Sequence, residues 1–144
     1  MIKALRDALF DVVDAIDISS VYPEWEWKGS YPPKQITCPA FWVEPVSNDP
    51  PIVIDTVTSQ ITYTFAVVLT NSYESALVDE DTVVELADLI LDRLLVATHD
   101  TEVLGVGLEA AFDGGVSGTW SFDERYGERV YRIEVYIKAI QTFS

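Results

Sequence analysis

Thr58-Ser59-Gln60-Ile61-Thr62-Tyr63-Thr64-Phe65-Ala66-Val67-Val68-Leu69-Thr70-Asn71 is the stretch on which the fold turns. Ile61, Tyr63, Phe65, Val67 and Leu69 alternate with Thr62, Thr64, Ala66, Val68 and Thr70. A period of two with β-branched and aromatic residues is the pattern of a strand that buries one face, so a strand is expected over 58–71. Its hydrophobic face needs a cover, and the neighbouring residues supply one. On the C-terminal side, 80–98 reads as a helix whose Val83, Leu86, Ala87, Ile90, Leu91, Leu94 and Leu95 suffice to lie on a sheet. Thr82-Val83-Val84-Glu85 has the form of a capping box, with Asp79 or Asp81 as alternative caps. Asp79, Glu80 and Asp81 would sit at the positive end of the helix dipole.

On the N-terminal side, Ala40-Phe41-Trp42-Val43-Glu44-Pro45-Val46 reads as a second strand, broken by Ser47-Asn48-Asp49-Pro50-Pro51. Ile52, Val53 and Ile54 then form an apolar run in a connection expected to be exposed. Before these comes an aromatic, proline-punctuated loop over 22–33 with Tyr22, Trp25, Trp27 and Tyr31. Residues 2–16 form an amphipathic helix with Ile2, Leu5, Leu9, Val12 and Ile16 on one side. The last third reads as two strands, 103–112 and 129–141, with Asp113-Gly114-Gly115 as a turn tolerant of positive φ. The order helix, strands, helix, strands is α+β: one domain over 1–144, an antiparallel sheet packed against two main helices.

Composition limits the function. The 144 residues carry 24 acids against 9 Lys and Arg, a formal charge of −15, and no basic residue falls between Lys34 and Arg93. Such a chain repels phosphate backbones, which argues against nucleic-acid binding as its task. The acidity fits a high-salt host, or a field lining a passage for DNA, and the two are compatible. The single cysteine, Cys38, excludes an internal disulfide and fits assembly in a reducing cytoplasm. The acids Asp7, Asp11 and Asp14 break any signal-peptide core, and no apolar run approaches the length of a membrane span.

Chemistry is sparse. The one histidine, His99, stands at the end of the second helix, where imidazolium would meet the negative end of the dipole. No motif joins it to Cys38, which reads as a small buried hydrophobe. Asp79-Glu80-Asp81 lacks the alternate acids, central glycine and terminal glutamate of a calcium loop. Gly105-Val106-Gly107 and Gly114-Gly115 lead to no lysine or helix start and are not phosphate loops. No catalytic residue, metal ligand or cofactor is expected. Trp25 and Trp27 suit a subunit interface or sheet cover better than a stacking platform for a ligand. Arg125, Arg129 and Arg132 form a small basic group in an acidic chain. It would either pin the register of an oligomer or sit as solvated strand ends.

The layout as a whole, with its Pro-Ala-Phe-Trp-Val strand, its Thr-rich strand ending Leu69-Thr70-Asn71 and its final Arg132-Ile133-Glu134-Val135-Tyr136-Ile137, resembles the tail-terminator (tail-completion) proteins of long-tailed phages. That is the family of the phage lambda minor tail protein U. The resemblance covers nearly the whole chain and lies in element order and strand patterning. Head-closure and other neck proteins share related small folds. It implies a virion protein of the tail or neck, assembled in the host cytoplasm, and not an enzyme. It further implies a homohexameric ring that caps the tail-tube protein, stops tube growth and joins a neck or head-completion protein, with genome DNA passing through unbound. Ile52, Val53, Ile54, Trp25, Trp27, Arg125, Arg129 and Arg132 are the candidate contact residues. Asp49, Asp55, Asp88 and Asp92 are the candidate lumen acids.

Overall fold

The two longest strands lie side by side and build the rest of the fold around them. In a computed structural model, which describes residues 1–16, 27–28, 40–70, 80–105, 109–123 and 128–142, β4 (Thr58–Thr70) pairs antiparallel with β7 (Glu128–Thr142) along its whole length, from Thr58 opposite Thr142 to Thr70 opposite Val130. The other elements are α1 (Ile2–Asp14), β1 (Trp27–Lys28), β2 (Ala40–Asn48), β3 (Ile52–Val53), α2 (Glu80–His99), β5 (Glu109–Phe112) and β6 (Ser117–Asp123). The outer edge of β4 carries β2 and then β3; the outer edge of β7 carries β6 and then β5. The two-residue β1 adds a short parallel pair beyond β2.

Both helices lie on one face of this sheet. Leu5, Leu9 and Val13 of α1, at the spacing of one helical stripe, meet Phe41 and Val43 of β2, and Phe10 stacks on Phe41 with ring centroids 5.3 Å apart. Val83, Leu86, Ala87, Ile90, Leu94 and Ala97 of α2 join Ile61, Tyr63, Phe65, Val67 and Leu69 of β4 and Tyr131, Ile133, Val135, Ile137 and Ala139 of β7. Burial of each large apolar side chain contributes about 1.5–3 kcal/mol, so these alternating rows decide the fold. The opposite face holds a smaller buried cluster of Trp42, Ala66, Val68 and Val130.

The expected α+β architecture is present, and three local expectations are corrected. The strand expected over 103–112 begins at Glu109, with Val103 contributing an isolated bridge to Ala111. Asp113-Gly114-Gly115 does not reverse the chain. Phe112 pairs with Ile137, the Asp113 amide still donates to Tyr136, and β6 resumes on the same edge with Ser117 opposite Glu134. Gly114, at φ +80°, takes up the extra residues as a bulge in an interrupted strand. The sequence reading missed β6 for this reason: its alternation is interrupted by Gly118 and small polar residues.

The Ser47–Val57 connection likewise holds strand at both Ser47–Asn48 and Ile52–Val53. A register shift between Pro45 and Ser47 and the Asp49-Pro50-Pro51 break interrupt pairing, since proline brings no donor. Pairing then resumes, with Ile52 opposite Gln60 and Val53 opposite Ser59. The arm is a continuation of the β2–β4 ladder closed by a tight turn over 54–57.

Helix α2 ends in a Schellman motif. The Glu102 amide donates to the Ala97 carbonyl and the Thr101 amide to the Thr98 carbonyl, with Thr101 at φ +48° in the place glycine usually takes. Arg93 holds Glu102 through two contacts, at 2.5 and 3.1 Å, and that hydrogen bonding keeps the Glu102 carboxyl below its ordinary value.

Candidate functional site

Three surfaces stand out, and none has the form of a catalytic centre. The first is the tip of the β3–β4 hairpin. Ile52, Val53, Ile54 and Val57 are 62%, 72%, 51% and 47% exposed, a run of apolar side chains that stands open among the described residues. The turn beneath them is held firmly: the Ile54 and Asp55 amides both donate to the Thr58 carbonyl, at 2.9 and 3.2 Å. The Val57 amide donates to Asp55 Oδ1 at 2.9 Å. That hydrogen bond, with help from Thr58, holds the Asp55 carboxyl below its usual range. Asp55 therefore has a local task at the tip, whatever else it faces. Asp49, also exposed, lies at the proline break and donates its amide to Thr62.

The second surface is a shallow groove of about 270 Å³ where the β2 edge passes the start of α1. Ile2, Pro45, Val46, Tyr63 and Phe65 give it an apolar lining, completed by Ser47, Asn48 and Thr64, with no charged side chain among them. The β2 bulge makes it by turning Val46 outward. Sequence reading offered no signal for it, because proline within a strand announces a break and not the hollow beside it.

The third is the outward side of α2, where Asp88 and Asp92 stand exposed one turn apart, beyond Glu85. Tyr131 lies close enough to feel Asp88: burial first, then that charge, raises the pKa of its hydroxyl. Asp88 and Asp92 thus belong to the helix layer, whereas Asp49 and Asp55 belong to the hairpin arm.

Of the basic group, only the Arg132 side chain lies among the described residues. Arg132 Nη1 donates to Glu44 Oε2 at 3.1 Å, and Trp42 Nε1 donates to Glu44 Oε1 at 2.8 Å. Arg132 is thus committed to the second sheet face within its own chain. Arg129 is in β7 opposite Phe122, with its side chain outside the described residues. Arg125 lies outside them entirely, as do Trp25, Tyr22, Tyr31, Cys38 and Asp79. The backbone of Trp27 forms β1, but its side chain is outside the described set. Helix α2 starts at Glu80, so Thr82 and Asp81 lie inside its first turn and neither is the cap expected of them. Among the described residues no group of His, Cys, Asp and Glu is placed to hold a metal ion, and no helix is long and apolar enough to cross a membrane.

No protein-family model matches the chain, and no curated protein matches it. Among solved structures, a chain of "Virion of native gene transfer agent (GTA) particle" superposes with a TM-score of 0.52 at 14% identity. The alignment covers 96% of this chain and 94% of that one. At that identity the likeness is one of fold, and it runs nearly end to end in both chains.

Proposed function

We propose that the chain, which shares its fold with a chain of a gene transfer agent virion, is itself a structural virion protein. The near-complete overlap, 96% of this chain and 94% of that one, carries this reading. Within that role we assign it to tail termination: a homohexameric ring that seats on the last ring of tail-tube protein and ends polymerisation. The ring then offers its other face to a neck or head-completion protein. The mechanism is geometric. A surface that copies the tube's own contact docks, and the opposite surface gives the next tube subunit no partner.

The uncovered apolar tip at Ile52, Val53 and Ile54 supports an assembly role, since apolar groups held on a rigid arm gain most by meeting another protein. Acids on the arm and on α2 suit a passage through which DNA slides without sticking. Native mass spectrometry and particle images of the chain, alone and mixed with its tube protein, test the reading. Hexameric rings at tube ends are expected. Monomers that leave tube growth unchecked would rule it out.

A further inference from the structure

We infer that the hairpin tip of one copy, led by Ile52, Val53 and Ile54, seats in the uncharged groove beside the β2 bulge of the next copy. The inference rests on the assembly reading above and names the self-contact within it.

Each half of the contact is visible in a single chain. The tip is a knob: Ile52 and Val53, on opposite faces of the short strand β3, and Ile54 next to them, each more than half exposed, lead into a turn fixed by the Thr58 carbonyl and the Asp55 carboxylate. A knob already ordered loses little further freedom on docking. The groove is a hole of matching chemistry, about 270 Å³ with no charged lining residue. An apolar cavity of about 150 Å³ admits a benzene ring. By that measure the groove takes about ten heavy atoms, room for two branched aliphatic side chains.

The two halves cannot meet within one molecule. The tip is paired to Ser59 and Gln60, and the groove is lined by Tyr63, Thr64 and Phe65 of the same strand. Five residues of extended chain separate Ser59 from Thr64, about 17 Å along one rigid ladder. A knob and a hole at different places on one molecule pair either reciprocally about a two-fold axis or head to tail from copy to copy, and the ring reading above requires the second.

Electrostatics favours the same pairing. Two copies at −15 each repel, so contact is cheapest where charge is sparse: the groove lining carries none, and the one acid at the tip is Asp55. Asp49 and Asp55 flank the tip but stay in solvent, where their field is screened within about 8 Å at physiological salt. A basic partner would instead be drawn to the acids of α2.

Two single-cysteine variants, Val53→Cys and Ser47→Cys, each in a Cys38→Ser background, test the contact when mixed and oxidised. Circular dichroism confirms their fold. The expected product is the mixed Val53→Cys/Ser47→Cys disulfide, several-fold above either like-with-like pair. Like-with-like products in excess would overturn the inference by showing a two-fold contact. Rings by native mass spectrometry without the mixed disulfide would overturn it and leave ring assembly standing. Monomers alone, with or without tube protein, would overturn both. In parallel, Ile54→Ser should weaken self-association by about ten- to a hundredfold, the range for one buried isoleucine. Val103→Ser, which alters a still more exposed apolar residue at the opposite sheet edge, should leave it unchanged; equal loss in both variants would remove the tip from the contact.

Discussion

Arg132 of β7 reaches across the intervening strand β4 to Glu44 of β2, 88 positions away in the chain, and donates to its carboxylate at 3.1 Å. Glu44 is 8% exposed and takes a second hydrogen bond from the Trp42 indole, so the pair ties three strands together on the face opposite the helices. Arg132→Ala leaves a nearly buried carboxylate short of its cation. A loss of about 1–3 kcal/mol in urea unfolding is expected. Glu44→Gln in the Arg132→Ala background should recover part of it, because the uncompensated charge is gone. No change in the single variant would show that the pair is solvated in practice.

Gly118 makes room for an aromatic ring. A Cβ there would sit 2.5 Å from Cζ of Tyr131 and closer still to its hydroxyl oxygen, and the Tyr131 ring also packs on Trp120 at a centroid distance of 4.8 Å. Gly118→Ala must therefore push Tyr131 off Trp120. A destabilisation of about 1–3 kcal/mol and an altered near-ultraviolet dichroism spectrum are expected.

Thr101 occupies a left-handed position, φ +48°, at the end of α2. A β-branched residue is strained there, so Thr101→Gly should stabilise the chain by about 0.5–1 kcal/mol, net of the extra freedom glycine brings to the unfolded state. A rise of a few degrees in Tm checks it; a fall would mean the Thr101 side chain holds something in place.

Acid should loosen the hairpin tip. The Asp55 carboxyl is held below its ordinary 3.8, chiefly by the Val57 amide. A depressed native value means its contribution is complete above the ordinary value and is lost as pH falls through the depressed one. The protection of the Val57 amide, its exchange rate relative to the unprotected rate at the same pH, should therefore hold at neutral pH and fall as pH drops below 3.8. Asp55→Ala should lack that protection at every pH.

Replacing Ile52, Val53 and Ile54 with serine should leave unfolding within about 0.5 kcal/mol of the parent, because these side chains are exposed. Tails of uncontrolled length are expected from the same variant. A melted variant would put the segment in the core, and normal tails from a folded one would remove it from termination.

The alternation of Ile61 to Leu69 and of Tyr131 to Ile137, with the helical stripes of 2–16 and 80–98, was enough to establish an α+β sheet with helices on one face. Burial of a single face is a local, periodic property, and each element carries its own record of it. The exposure of the apolar run at Ile52–Ile54 was legible too, but its pairing with Ser59 and Gln60 was not, since two prolines precede it and no alternation marks it as a strand. Tertiary structure alone decided the register. It set Arg132 beside Glu44 and turned an Asp-Gly-Gly segment into a bulge. It also ran β2 into β3 along one edge and opened the groove at Val46. Each of these depends on which residue of one strand stands opposite which residue of another, a relation that spans up to 88 positions and leaves no mark in either segment read separately.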